Sequence, residues 1–302
     1  FLALGHTGNY VVAAYLDDVI VAASAGFRTG DAVPHLHSHI TGVTESCRHR
    51  SVGYAIKLHQ RAWALGQGIT AISWTFDPLH KRNARFNLAK LGGQLVTYLP
   101  NFYGEMLDEV NRGTPSDRAL IEWDLVQEVP QRGADSVVPN VADAAYLVVL
   151  DADGNPSAAA DLAGLVADAS TLTIALPDDI ESLRRTAPDL ALAWQQAVSA
   201  AFGQALGAGW SVVGFHPERH YVLRRSESQP GAGPPCGAHY RRRVPLRGRQ
   251  PVLRLRGWRD EVRQQHRWFM DQRHRGRQRM PRGIARGELL WHHSYLVCSA
   301  GD

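Results

Sequence analysis

The chain has 302 residues, of which 44% are hydrophobic and 21% are charged, and its formal net charge is +4. This length can bury one large core or two small ones. No run of about 18 apolar residues occurs, which excludes a membrane-spanning helix, and three widely spaced cysteines (Cys47, Cys236 and Cys298) exclude a disulfide scaffold or a cysteine-rich zinc fold.

The first third of the chain predicts a β-hairpin, a third strand and a helix. Residues 10–15 and 19–27 are β-rich and are joined by a short turn, and residues 35–43 form another extended, alternating run. Residues 51–66 then change to a 3.6-residue apolar period, which predicts an amphipathic helix that stops near Gly66 and Gly68.

The next segment predicts a strand, a helix and two further strands. Residues 69–76 are nearly continuous in β-prone residues, as in a buried parallel strand. Asp77 precedes Pro78, which predicts a capped helix start, and this helix ends at Gly92-Gly93. Residues 94–99 and 118–125 are the two strands, and the second alternates buried and polar positions.

Beyond residue 126 the sequence patterns that predict helices and strands are weaker. Residues 145–150 predict one strand within the mixed segment 127–170. Residues 171–225 predict a β-α-β-β unit whose long helical stretch, 180–206, is broken near Pro188.

The C-terminal 77 residues are Arg-rich and have no sustained period. Residues 226–302 contain 16 Arg, no Lys and six acidic residues, a net charge of +10, whereas residues 1–225 carry −6. Three interpretations stay open: an RNA-binding arm, a disordered extension, and translation of a GC-rich gene in a shifted frame, which fits the arginine bias best. We therefore base no function on this tail.

The segment from residue 39 to residue 76 carries the most informative chemistry. A turn with small residues leads from a strand into a helix, where free backbone N–H groups and the helix dipole favour an anion such as a pyrophosphate. Arg48 and Arg50 add positive charge, Ser51 can cap the helix, and Gly53 would allow a ligand to approach the backbone. An ordinary helix start is the alternative interpretation.

This segment resembles the acyl-CoA-binding motif of the GNAT superfamily of acetyltransferases, Arg/Gln-x-x-Gly-x-Gly/Ala after a strand that ends in Val. Val43 matches the strand end, Arg48 the Arg/Gln position, Ser51 the first Gly and Gly53 the second. Further strings that resemble one branch of predicted acetyltransferases are WTFDPL (74–79), RNA (82–84), FNL (86–88), KLG (90–92), NFYG (101–104) and TPSDR (114–118).

The resemblance implies direct acetyl transfer from acetyl-CoA, and it implies where the cofactor binds. The pyrophosphate would be held largely through backbone by Arg48, Arg50, Ser51, Val52, Gly53 and Tyr54. Backbone N–H groups from Ile40 to Val43 would bond the thioester oxygen. Asn83 would contact the cofactor, as an Asn near this point does in relatives.

Two features depart from the family pattern. Ser51 and His49 each stand where the family usually has a Gly, which lowers the expected affinity for the pyrophosphate. The tyrosine that acts as general acid in many members would fall at Leu88, so Tyr103 and Tyr98 are the nearest candidates for that role.

The candidates for the base are histidines and one aspartate. His35, His37 and His39 lie at i, i+2 and i+4, which places them on one face of a strand. His37 and His39 suit a base or substrate-binding role, with a metal site and purely structural histidines as alternatives. Asp77, at the end of a strand, is either a catalytic residue or a helix cap.

These observations predict an α/β fold, with a mixed twisted GNAT-like sheet flanked by helices. The predicted parts are a domain at 1–126, a connector at 127–170, a β-α-β-β lobe at 171–225 and the tail. Because the chain begins with Phe1 rather than Met, we expect its N-terminus to be truncated.

The predicted function is a cytoplasmic acetyltransferase. It would use acetyl-CoA as a co-substrate, an amine of a small molecule or peptide as the acceptor, and no metal, nucleic acid or membrane. The alternatives are a CoA-binding sensor without turnover and nucleic-acid binding through the tail.

Overall fold

The computed structural model describes residues 2–30, 33–47, 50–104, 115–129, 139–218 and 220–225, together with the backbone of residues 253–255 and 295–298. The chain divides into two compact units. Unit 1 is Phe1–Ile72 with Tyr240–Asp302, and unit 2 is Ser73–His239. None of the described helices is long and apolar enough to cross a membrane.

Unit 1 is a sheet with one long helix. Its strands lie in the order β12-β13-β1-β2-β3, with β1 antiparallel to β2, β2 antiparallel to β3, and β13 parallel to β1. The elements are α1 (Leu2–His6), β1 (Tyr10–Leu16), β2 (Val19–Arg28), β3 (Leu36–Val43), a 3₁₀ turn (Glu45–Cys47), α2 (Val52–Gly66), β12 (Leu253–Leu255) and β13 (Tyr295–Cys298).

The hairpin of unit 1 forms for a local reason. Asp17 and Asp18 both adopt positive φ angles, 48° and 64°, which is the geometry of a turn whose twist matches the flanking strands. On the strand that precedes it, Tyr10, Val12 and Ala14 are buried at alternate positions, so one face of the hairpin supplies the core of the unit.

Unit 2 contains two groups of strands. In the first, β4 (Ala71–Phe76, which begins in unit 1), β6 and β5 lie side by side in that order. The elements of this group are β4, α3 (Lys81–Arg85), a π-helical turn (Phe86–Lys90), β5 (Gln94–Leu99) and β6 (Arg118–Asp124). Ala119, Ile121 and Trp123 are the buried face of β6, as its alternation predicts.

The second sheet of unit 2 has the strand order β10-β11-β9-β7-β8. Its strands and helices are β7 (Ala145–Leu150), β8 (Pro156–Ala158), α4 (Leu162–Asp168), β9 (Thr171–Ile174), α5 (Ile180–Thr186), α6 (Pro188–Gly207), β10 (Trp210–His216) and β11 (His220–Arg225). Trp194 and Phe202 of α6 are fully buried, so this helix supplies much of the apolar packing of the unit.

The predicted α/β class is confirmed, as are the hairpin, α2 and the break in the long helix at Pro188. The helix predicted to start after Asp77 begins only at Lys81, because Asp77 Oδ1 accepts a hydrogen bond from the Leu79 N–H and closes a turn first. Within the predicted connector lie β7, β8 and α4, and β7 pairs with β9.

The predicted boundaries at 126, 170 and 225 stay predictions. The division between the two units falls elsewhere, between Ile72 and Ser73 within β4. The interpretations of the tail lie outside the described residues, apart from the backbone of β12 and β13.

Candidate functional site

The turn between β3 and α2 is the predicted cofactor site. The Thr44 N–H donates to Val21 O at 2.8 Å, a 3₁₀ turn follows, and the Arg50 N–H donates to Cys47 O at 3.1 Å. These bonds bring the exposed Arg50 directly to the helix start. Arg48, the predicted Arg/Gln position of the motif, lies outside the described residues.

Ser51 has a left-handed backbone at the entry to α2. Its φ is 61° and its ψ is 17°, and its side chain makes no capping hydrogen bond to the helix. The expectation that the hydroxyl caps α2 is therefore wrong. A side chain in this conformation costs about 1 kcal/mol or more relative to glycine, so the turn has the geometry that favours the glycine of the motif while carrying a serine.

Replacement of Ser51 by glycine should stabilise the protein. We expect Ser51→Gly to raise the free energy of unfolding by about 1 kcal/mol, because the left-handed conformation then carries no Cβ penalty. Urea unfolding measures this change. Ser51→Ala is the matched control, since it removes the hydroxyl but keeps the Cβ, and a gain of the same size in Ser51→Ala would contradict the interpretation.

Gly53 lies in the first turn of α2, opposite the end of β3. A Cβ built on Gly53 would meet only Val43 Cγ2, at 3.8 Å, which is an ordinary contact, and Gly53 does not have a positive φ. The interior of unit 1 therefore does not require glycine at this position. Val52 is buried and Tyr54 is half-buried, so the helix start itself is anchored in the unit.

The histidines of β3 lie on the face opposite its buried residues. Leu36 and Ser38 are buried, whereas His37 is half-buried and His39 is exposed. The ring centroids of His37 and His39 are 6.5 Å apart. Burial, and then the neighbouring His39 and His35, lower the pKa of His37 to about 4, so His37 is neutral at pH 7.

A β-bulge in β3 changes the direction in which the side chains that follow it point. Ile40 pairs with Ala25 and Ser38 pairs with Gly26, which leaves His39 as the extra residue. Ile40 follows it with a side chain that is 53% exposed. The strand segment from Ile40 to Val43, predicted to bond the thioester, is thus exposed apart from the half-buried Val43.

The inner side of α2 also carries polar residues that the sequence pattern does not predict. Lys57, Gln60 and Arg61 are buried together with the predicted apolar face. The Lys57 ammonium donates to Ser38 Oγ at 2.9 Å and to Gln60 Oε1 at 3.3 Å, and burial lowers the pKa of Lys57 to about 7. Nothing in the apolar period signals this cluster, since long polar side chains at such positions are usually solvated.

A second buried polar pair joins β1 to α2. The hydroxyl of Tyr10 and Nδ1 of His59 are 2.9 Å apart, and burial lowers the pKa of His59 to about 4 and raises the pKa of Tyr10. Both groups are therefore neutral at pH 7. Which of the two groups donates depends on the tautomer of His59, and the bond keeps both buried polar side chains satisfied.

The predicted site residues Asp77, Asn83 and Tyr103 belong to unit 2. Asp77 Oδ2 accepts a hydrogen bond from Arg184 Nη1 at 2.6 Å, while Oδ1 accepts from the Leu79 N–H. Both carboxylate oxygens of Asp77 thus have structural partners, which favours the structural interpretation over the catalytic one.

Asn83 is exposed in α3. Tyr103 is half exposed, its hydroxyl lies 3.4 Å from Thr75 Oγ1, and the Arg118 guanidinium lies 5.1 Å from its ring centroid. Tyr98 donates to Asp117 at 2.6 Å, and burial with this bond raises its pKa, so Tyr98 retains its proton. Leu88, at the family's tyrosine position, is buried.

Among the described residues, no group of three or more His, Cys, Asp or Glu side chains is placed to hold a metal ion. His35, the third histidine of the predicted set, precedes β3. Its Nδ1 lies 3.1 Å from Thr29 Oγ1, and its N–H donates to the same oxygen. These bonds fix the loop that leads into the histidine strand.

No protein-family model matches the sequence, and no curated protein matches it. Solved structures do match parts of it. Ard1 from Thermoplasma volcanium is 16% identical over 37% of this chain and 67% of its own, with a TM-score of 0.31. Naa50 from Arabidopsis thaliana, in complex with a bisubstrate analogue of CoA, is 17% identical over 35% of this chain and 66% of its own, with a TM-score of 0.30.

A third structure is an acetyltransferase of the GNAT family from Streptococcus pneumoniae, 11% identical over 36% of this chain and 61% of its own, with a TM-score of 0.30. The chain thus spans about two thirds of the length of these structures. The similarity covers about a third of this chain's own length.

Proposed function

We propose that the chain is a CoA-dependent N-acetyltransferase that moves an acetyl group from acetyl-CoA to an amine of a small molecule or peptide. The observation that carries the proposal is the β3–α2 turn. Ser51 has the left-handed backbone expected at the motif's first glycine, and Gly53 stands where the interior of the unit leaves room for a Cβ.

The proposed cofactor site uses the start of α2. The first N–H groups of a helix have no carbonyl partner within the helix, and the dipole adds partial positive charge there. The pyrophosphate of CoA would accept hydrogen bonds from the backbone of Val52, Gly53 and Tyr54, with Arg50 and Arg48 as counter-charges. Since these contacts are largely to backbone, a glycine at position 53 is explained by the approach of the ligand.

The proposed chemistry takes place beside β3. The amine nitrogen bonds to the thioester carbonyl carbon, the C–S bond breaks, and the CoA thiolate takes up a proton as it leaves. Backbone N–H groups between Ile40 and Val43 would stabilise the oxygen on which negative charge develops. His39, which is exposed on the same strand as His37, would accept the ammonium proton.

The Gly53→Ala variant tests the cofactor site with two measurements, the stability of the protein and its affinity for CoA, and only the affinity should fall. In the first turn of a helix, alanine should leave stability unchanged or raise it by about 0.5 kcal/mol. The same methyl group should obstruct the pyrophosphate, so we expect the Kd for CoA, measured by calorimetry, to rise about tenfold or more.

Gly203→Ala is the matched control for this test. Gly203 lies within α6, and a Cβ there would meet nothing within 4 Å. It should give a similar stability change with no change in CoA binding. Equal CoA affinity in both variants would exclude the proposed pyrophosphate site.

Transfer itself is tested with isotope-labelled acetyl-CoA and a panel of amines and peptides. Labelled acceptor should accumulate with wild-type protein, and His39→Ala should reduce the rate by about a hundredfold. Tight CoA binding without transfer to any amine would instead support the CoA-binding sensor, the alternative that the buried Leu88 at the family's tyrosine position favours.

A further inference from the structure

Lys57 joins the two elements of the proposed site in unit 1. It lies five residues after the start of α2, and its Nζ donates to Ser38 Oγ at 2.9 Å on β3. Ser38 stands between His37 and His39 in the strand. One hydrogen bond therefore connects the cofactor-binding helix directly to the histidine strand.

Packing alone does not explain a lysine at this position. The Lys57 residue is only 6% exposed, and burying an ammonium group costs several kcal/mol unless its bonds recover that loss. A methionine of similar length would fill the same space without this cost. A buried lysine bonded to the strand next to a proposed base points instead to a role in the reaction.

We propose that Lys57 is a positioning residue for acetyl transfer, which holds Ser38 and thereby sets the orientation of His37 and His39 relative to the start of α2. This inference rests on the proposed function. Gln60 supports the arrangement, since its Oε1 accepts a second hydrogen bond from Lys57 at 3.3 Å.

The charge on Lys57 also acts on His37. The charge of Lys57 interacts with His37 on β3, and further titratable or charged groups buried on α2 or bonded to it are Arg61 and the Tyr10–His59 pair. Beyond burial and the neighbouring histidines, the positive charge of Lys57 contributes to the low pKa of His37. Removal of that charge should therefore raise the pKa of His37, because a like charge no longer opposes its protonation.

The test is Lys57→Met in the full chain, with Lys90→Met as the matched control because Lys90 is exposed on the π-helical turn. NMR titration of the histidine ring protons should show the pKa of His37 raised in Lys57→Met and unchanged in Lys90→Met. The acetyl-transfer rate should fall about tenfold or more while the Kd for CoA changes less than twofold, since a small misplacement of the base affects the reaction rather than cofactor binding.

Ser38→Ala separates the hydrogen bond from the charge. It should reduce the transfer rate while leaving the pKa of His37 close to that of the wild type, and Lys57→Met combined with Ser38→Ala should be no slower than the slower single variant. An unchanged His37 titration in Lys57→Met, or an unchanged transfer rate, would overturn the proposal. If the wild-type chain transfers no acetyl group, the proposed function fails, and the NMR titration still decides whether Lys57 and His37 are coupled.

Discussion

Arg184→Met should lower the free energy of unfolding by about 2 to 4 kcal/mol, because it removes one partner from a largely buried ion pair. Arg184 Nη1 and Asp77 Oδ2 are 2.6 Å apart, and the two side chains are only 11% and 17% exposed. Loss of the guanidinium leaves the Asp77 carboxylate desolvated without its counter-charge. The ion pair links the segment after β4 to α5 within unit 2, so its removal should weaken the packing of both segments.

A double-mutant cycle and a surface control make this prediction specific. Asp77→Asn combined with Arg184→Met should cost less than the sum of the two single variants, because no buried charge then stays unpaired. Lys81→Met breaks the pair with Asp178, whose side chain is 85% exposed, and should cost less than about 1 kcal/mol. Urea unfolding gives all four values. A loss in Arg184→Met no larger than that in Lys81→Met would show that the buried pair contributes little.

Gly26→Ala should destabilise unit 1 by about 1 to 3 kcal/mol. A Cβ on Gly26 would lie 2.9 Å from the carbonyl oxygen of His37 and 3.3 Å from Cα of Ser38. Both atoms belong to the backbone of β3, so the clash is relieved only by moving the strand. The displacement would fall on the β-bulge that presents His39, and we therefore expect histidine resonances to shift as well.

The matched control for this substitution is Gly42→Ala on β3. A Cβ at Gly42 meets nothing within 4 Å, so the variant should be neutral or slightly stabilising, since glycine inside a strand costs conformational entropy. Thermal unfolding and a histidine NMR spectrum distinguish the two variants. Equal stability of Gly26→Ala and Gly42→Ala would mean that β3 moves at no cost, which the close packing of protein interiors does not favour.

Local sequence signals located the hairpin, β3 and α2 of unit 1, but they did not predict α1, β12 or β13. The period of 3.6 residues located α2 to within one residue of its start, and the β-rich runs around residues 16–18 located the hairpin. These features depend on neighbours along the chain, through side-chain periodicity and turn geometry. The turn before α2 was found for the same reason, because small residues between a strand and a helix are a local pattern.

The partners of the site residues depend on contacts between distant parts of the chain. In sequence, Asp77 is a candidate for a helix cap or for catalysis, and only the bond from Arg184, 107 positions later, adds an observation that favours a structural role. Ser51 looked like a side-chain cap, and only its left-handed backbone shows otherwise.

The sequence by itself determined the α/β class, the strand–turn–helix of the proposed cofactor site and the resemblance that suggests acetyl transfer. Each of these depends on short-range patterns of residue type. Only the tertiary structure decided which polar groups are buried and paired. Lys57 appears in sequence as an ordinary helix-surface lysine, and it becomes a link between α2 and β3 because folding removes its ammonium group from water and leaves Ser38 and Gln60 within hydrogen-bonding distance.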